Sequence, residues 1–238
     1  MTDRKGRVIT AAVVMLVAAG ILVASVLLPW YALTSSGGGI SIHGFYYAGP
    51  ASENGTIRYT CSGAPVACPS QSSYSSQNLN NTGTLAETGF YLLIAGIVLG
   101  VAAMGLALMR RDKSGGLAPA MILGIVALVI AIAAPGVYAL ELPHAISSDF
   151  PGVQGSGPWT SFFGSNTTGG EGFELSNTWG PGTGWYLAIG AFVVFWVGVI
   201  LLFRQIREDR ALAPESQPKA TGSPSPTDEG SPKSPPGP

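Results

Sequence analysis

Four stretches of the chain carry no Asp, Glu, Lys, Arg or His: residues 8–28, 89–109, 117–140 and 185–203. Each is about 20 residues long, enough at 1.5 Å per residue to cross a hydrocarbon core of about 30 Å. A buried helix of a soluble protein rarely runs this far without a polar face. The pattern predicts four transmembrane helices. Between them lie two long polar loops, 29–88 and 141–184, and one short one, 110–116. The first run could be read as a signal peptide behind the basic stretch MTDRKGR, but it exceeds the usual apolar length and no Ala-x-Ala site precedes Pro29. It is read as an uncleaved helix.

Within the first long loop two pieces alternate with period two. Ile40 and Ile42 share one side of the first; Ile57, Tyr59 and Cys61 share one side of the second. Alternation with β-branched and aromatic residues predicts strands. The Ser/Gln/Asn-rich stretch 71–81 reads as a flexible excursion. The second long loop has turn signals at Pro151-Gly152, Gly169-Gly170 and Pro181-Gly182 and recurrent aromatic residues, among them Phe150, Trp159, Phe162, Phe163, Phe173 and Trp179. These are expected to pack against the first loop or dip into the interface. Pro135-Gly136 is expected to kink or end the third helix. From about Ala213 the chain is rich in Pro, Ser, Gly and Thr and reads as a disordered tail.

Composition supports the membrane reading: 11% of residues are charged, against about 25% in soluble domains, and mean hydropathy is +0.36. The net charge of -1 hides a segregation that orients the chain. Arg4, Lys5 and Arg7 precede the first run, Arg110, Arg111 and Lys113 fill the short loop, and Arg204, Arg207 and Arg210 follow the last run. The two long loops hold one basic residue, Arg58. The positive-inside rule then places both termini in the cytoplasm and both long loops outside, in a multi-pass protein of the plasma membrane. Trp30, Tyr31, Phe90, Tyr91, Tyr138, Trp185 and Tyr186 fall near the outer ends of the runs, as an aromatic interface belt would.

Cys61 and Cys68, the two cysteines of the chain, therefore lie outside, where disulfides persist. Their bond would close a ring worth roughly 2–3 kcal/mol by loop entropy, with Gly63 and Pro65 supplying turn chemistry. Two other readings stay open. A metal site could draw only on His43 and His144 besides, at a spacing unlike the usual zinc patterns. A redox pair would need a second cysteine pair to relay electrons. Asn54, Asn80 and Asn166 begin Asn-x-Ser/Thr sequons and are candidate glycosylation sites on the same side.

The apolar runs contain no ionisable residue, which argues against a proton relay, a pump or a voltage sensor and removes acid–base machinery from the membrane. They do carry small residues four apart: Gly96 and Gly100, Gly20 and Ala24, with Gly190 and Gly198 in the last run. Such spacing lets helices approach closely, within one bundle or in a dimer. Phe192, Phe195, Trp196 and Phe203 lie near one face and read as packing or lipid contact. No nucleotide, protease or hydrolase signature is present, and nothing suggests nucleic-acid binding, since the basic residues gather at the inner membrane face. No catalytic residue, metal or cofactor is assigned.

A first helix ending in Trp30, a strand-bearing loop with Cys61 and Cys68, a short basic loop and four spans together resemble the claudin and peripheral-myelin-protein superfamily. Arg58-Tyr59-Thr60 stands where that family has Gly-Leu-Trp. The resemblance implies an all-α membrane fold, a four-helix transmembrane bundle topped by a small disulfide-pinned extracytoplasmic β-sheet. It implies a non-enzymatic role in adhesion, lateral assembly or permeability. The expected partners are the lipid bilayer and further copies of the chain or other membrane proteins. An accessory subunit of a larger membrane complex and a membrane thiol-disulfide oxidoreductase are the alternatives.

Overall fold

The structure, a computed structural model, describes residues 2–63, 68, 70–111, 116–153, 155, 157–170 and 173–211. In chain order the elements are α1 (Thr2–Leu27), β1 (Pro29–Gly37), β2 (Ile40–Tyr47), β3 (Ile57–Ser62), β4 (Gln71–Ser72), a 3-10 turn at Ser75–Gln77, α2 (Asn80–Met109), α3 (Ala118–Asp149), β5 (Gly164–Gly170), β6 (Phe173–Pro181) and α4 (Thr183–Ala211). All four helices are long and apolar enough to span a membrane. The proposed tail, Lys113 and the side chain of Arg4 lie outside the described residues.

Each helix turns a seam of mostly small residues inward, spaced three and four apart. In α1 the seam is Val8, Ala11, Met15, Ala18, Leu22 and Ser25; in α2 it is Ala86, Gly89, Leu93, Gly96, Gly100, Ala103 and Ala107. That spacing is the one that lets neighbouring helices interlock along their length. The tightest partners are α1 with α4 and α2 with α3. The glycines divide accordingly. A Cβ on Gly198 would lie 2.6 Å from Met15 Cγ, and one on Gly100 would lie 2.9 Å from Phe195 Cε2. Gly96 faces the Ala131 backbone, its virtual Cβ 3.7 Å from the nitrogen. Gly20 and Gly190 have nothing within 4 Å and are exposed, and Ala24 is half-buried. Gly20 and Gly190 therefore do not pack within the bundle: each lies off the seam of its own helix. Gly124, whose virtual Cβ lies 3.1 Å from Met15 Cε, packs tightly and was not singled out by the four-residue spacing.

Pro135 and Pro143 both lie inside α3, and the helix runs through them to Asp149 rather than ending. A proline removes one donor from the helical ladder. Packing on neighbouring elements holds the rest, and the Pro135 carbonyl accepts a hydrogen bond from Trp185 Nε1 of α4 at 2.9 Å.

Strands from both long loops form one antiparallel sheet, ordered β4-β3-β2-β1-β6-β5. The joint between loops is the β1–β6 pair, running from Tyr31↔Pro181 to Ser36↔Ser176. β1 follows α1 directly and β6 leads directly into α4, so the packed α1–α4 pair continues upward as a paired β1–β6 ribbon. Leu33, Tyr46, Ile57, Tyr59 and Trp179 on one sheet face join Leu93, Ala134, Tyr138 and Leu142 in a core at the sheet end of the bundle. A second core, including Val8, Ala107, Leu117 and Ile206, fills the opposite end.

The segment read as a flexible excursion is ordered. Tyr74 is fully buried, its hydroxyl donating to the Tyr47 carbonyl at 2.9 Å, and Ser73 and Ser76 exchange side chain–backbone hydrogen bonds. A buried aromatic ring outweighs the polar composition around it. The aromatic belt also divides. Tyr91 and Tyr186 are more than half exposed, but Trp30, Tyr31 and Tyr138 are buried. They are core residues because the sheet folds down over that end of the bundle.

Candidate functional site

The site is built where α1 becomes β1. Trp30 is fully buried; its Nε1 donates to the Ser25 carbonyl at 3.0 Å, and its ring meets Tyr138 edge-on at 5.3 Å. The α4 entry passes hard against this turn: Gly182 N donates to the Trp30 carbonyl at 2.9 Å, and a Cβ on Gly184 would sit 2.7 Å from the Ser25 carbonyl oxygen. Only a glycine admits such a backbone approach.

With the sheet fixed there, its inner face roofs a cavity of about 330 Å³. Tyr31, Tyr46 and Tyr59 line it from the sheet, Leu79 and Thr82 from the start of α2, Tyr138, Leu142 and Ile146 from α3, and Phe150, Pro158 and Trp159 from the segment that follows. Among the described residues no charged side chain lines it. Burial foremost, then the neighbouring phenols, raises the Tyr31 hydroxyl far above the usual tyrosine range. Tyr46 and Tyr74 are raised for the same first reason. Tyr31 and Tyr46 are therefore neutral hydrogen-bonding groups, not anions.

The Tyr31 hydroxyl is buried and makes no hydrogen bond. Tyr74 lies beside Tyr138 but gives its own proton to the Tyr47 carbonyl. The Thr82 hydroxyl lies beside the Asp149 carboxylate and helps to hold it charged.

Asp149 pins the wall between α2 and α3. Its Oδ1 accepts from Asn81 N at 2.8 Å and Asn81 Nδ2 at 2.9 Å, and its Oδ2 accepts from Thr82 N at 2.9 Å. A carboxylate from one helix thus satisfies otherwise orphaned N–H groups in the first turn of the next. Asp149 lies nine residues, about 13 Å of helix, beyond the apolar run that ends at Leu140. Partial burial alone would raise its carboxyl; the N–H groups of Thr82 and Asn81 outweigh this and hold it below the usual carboxylate range.

The opposite sheet face is polar. The register places Ser62, Ser41, Ser36, Ser176 and Thr167 in one row across five strands, and Thr60, His43, Thr34, Thr178 and Ser165 in the next. His43 is held between Thr34 Oγ1 at 3.0 Å and Ser41 Oγ at 3.1 Å. Arg58 lies over the Tyr47 ring at 4.8 Å.

Cys61 and Cys68 form a disulfide with Cα atoms 6.4 Å apart, tying the end of β3 to the segment leading into β4. Among the described residues no group of three His, Cys, Asp or Glu is placed to hold a metal ion. Asn54 is exposed between β2 and β3 and Asn80 is exposed at the start of α2, whereas Asn166 in β5 accepts a hydrogen bond from Asn177 Nδ2 at 3.0 Å. Lys5, Arg7, Arg110, Arg111, Arg204, Arg207 and Arg210 all fall at the bundle end away from the sheet, where Arg7 pairs with Glu208.

The cavity residues were not legible as a site. Tyr31 and Tyr138 looked like interface aromatics and Thr82 like part of a sequon. One usable signal was the alternation of Phe173, Leu175, Asn177 and Trp179, which marks β6.

The fold and its charge pattern define a class: a chain of four membrane-length helices capped by a single sheet drawn from both long loops. Compared with known proteins, the chain matches no family model and no curated protein.

Proposed function

We propose that the chain is a non-enzymatic integral membrane protein of the plasma membrane, with both termini cytoplasmic, whose sheet is an extracytoplasmic recognition and assembly module of claudin-like shape. The observation that carries this reading is the β1–β6 ribbon continuing the α1–α4 pair. A partner engaging the sheet would engage a surface with a fixed direction relative to the bundle, as adhesion or lateral assembly requires. The polar outer face supports it: two rows of mostly hydroxyl side chains give a broad array of donors and acceptors. The orientation rests on basic residues gathered at the bundle end away from the sheet. The thiol oxidoreductase alternative gains no support, since the chain holds one cysteine pair.

The test is cross-linking in native membrane followed by purification, comparing wild type with Ser176→Arg/Thr178→Arg on the outer face. The wild type is expected to retain a second copy or another membrane protein, and the double variant to lose it while folding normally. An uncross-linked wild type, or the same adducts in both, overturns the proposal. Adducts that map only to the helices favour the accessory-subunit reading instead.

A further inference from the structure

We propose that the cavity beneath the sheet is a binding site for a neutral, largely apolar small molecule that carries a carbonyl or hydroxyl oxygen. Nothing in this inference depends on a partner at the outer face, because the cavity lies on the other side of the sheet.

The size and lining are those of a ligand pocket. Its volume of about 330 Å³ falls at the low end of the small-molecule range, and its walls are aliphatic and aromatic with few polar groups. The polar groups give the ligand its chemistry. Tyr31 is 2% exposed and its hydroxyl has no partner, whereas the Tyr138 hydroxyl, 1% exposed, has only the Tyr74 hydroxyl beside it. Buried hydroxyls are nearly always hydrogen-bonded, so the Tyr31 hydroxyl on this apolar cavity calls for an occupant that bonds to it. A phenol donates one hydrogen and accepts others, which a carbonyl or hydroxyl oxygen complements. A charged ligand is disfavoured, because among the described residues the lining offers no counter-charge to offset its desolvation.

The cavity sits where the apolar run of α3 gives way to the polar end of the bundle. Tyr138 belongs to the apolar run of α3, whereas Gln77 and Phe150, both exposed, mark the opening at the polar end. A molecule arriving along the bilayer and a free solute share the chemistry described, and the experiment separates them.

The full-length protein in lipid nanodiscs is irradiated with one of two neutral photoprobes: a long-chain alcohol bearing a diazirine, for the lipid source, or a diazirine-bearing naphthol added from water, for the solute source. Saturable labelling is expected on peptides holding Tyr31, Tyr138 or Leu142. Tyr31→Phe and Tyr138→Phe keep the rings and are each expected to weaken labelling about tenfold, the loss of one hydrogen bond to ligand. Leu142→Trp fills the cavity while leaving both hydroxyls and is expected to abolish labelling. Thermal unfolding identifies a variant that fails to fold; in that case Leu142→Phe takes its place. Labelling by the alcohol alone supports a lipid source, and by the naphthol alone a solute source. Labelling by neither, labelling that does not saturate, or labelling unchanged in both phenylalanine variants and in the cavity-filling variant overturns the proposal and leaves the cavity to water.

Discussion

Ser25 and Gly184 stand 159 positions apart, yet the Ser25 hydroxyl donates to the Gly184 carbonyl at 2.8 Å. The bond closes the point where α1 turns into β1 and β6 turns into α4. Every element above it takes its direction from that turn.

Substitution at this turn should therefore loosen the whole sheet end. Gly184→Ala forces a side chain against backbone oxygens of Ser25 and Leu28 and is expected to cost about 1–3 kcal/mol. Ser25→Ala removes one buried hydrogen bond and is expected to cost about 1–2 kcal/mol, chiefly by leaving the Gly184 carbonyl short of a partner. Thermal unfolding of the purified protein checks both. A Gly184→Ala midpoint equal to that of the wild type would contradict the close approach.

The glycines of the helices should separate into two groups. Gly100→Leu and Gly198→Leu drive atoms into Phe195 and Met15 and are expected to destabilise by about 1–3 kcal/mol or more. Gly20→Leu and Gly190→Leu project into open space and are expected to be tolerated or mildly stabilising. Expression level and unfolding midpoint in one detergent rank the four, and equal effects at Gly20 and Gly198 would refute the seam.

Asp149 predicts an acid-sensitive contact. Its folded carboxyl lies below the usual range, so its contribution is complete above the unfolded-state pKa, about 3.9. It is lost as pH falls through the lower folded value. Asp149→Asn should unfold more readily than wild type near neutrality, and the gap should close on acidification below about pH 4. Midpoints measured across pH decide this; a gap that widens on acidification has the wrong sign.

The disulfide should matter most to the sheet edge. Replacing Cys61 and Cys68 with serine is expected to cost about 2–3 kcal/mol and to lower surface expression. Hydrogen exchange should rise in β3 and β4 before it rises in the helices. Unchanged exchange in those strands would show that the ladder holds without the bond.

Orientation is open to direct labelling. In intact cells a membrane-impermeant maleimide should modify Thr178→Cys on the sheet and spare Arg210→Cys at the far end of α4. The reverse pattern would invert the topology and overturn the proposed function with it.

The four spans, their flanking charges and the disulfide were readable along the chain because each is local. A run of about 20 uncharged residues is a property of its own composition, and Cys61 and Cys68 are close enough to meet wherever the loop goes. Ile40–Ile42 and Ile57–Cys61 betrayed β2 and β3 in the same way, by alternation within a few residues.

Tertiary structure alone decided the rest. β5 reads Gly-Ser-Asn-Thr-Thr-Gly-Gly and has no apolar alternation; it is a strand because β6 offers it a ladder. β6 in turn pairs with β1 only because α4 has returned beside α1. Whether Gly20 or Gly198 faces a neighbour depends on the rotation of each helix about its axis, which is set by the residues opposite. Tyr31 and Tyr138 are core rather than interface because the sheet closes over them. Hydropathy and charge act residue by residue and survive in one dimension, whereas strand partners, helix rotation and enclosure are relations between distant segments and exist only once those segments have packed.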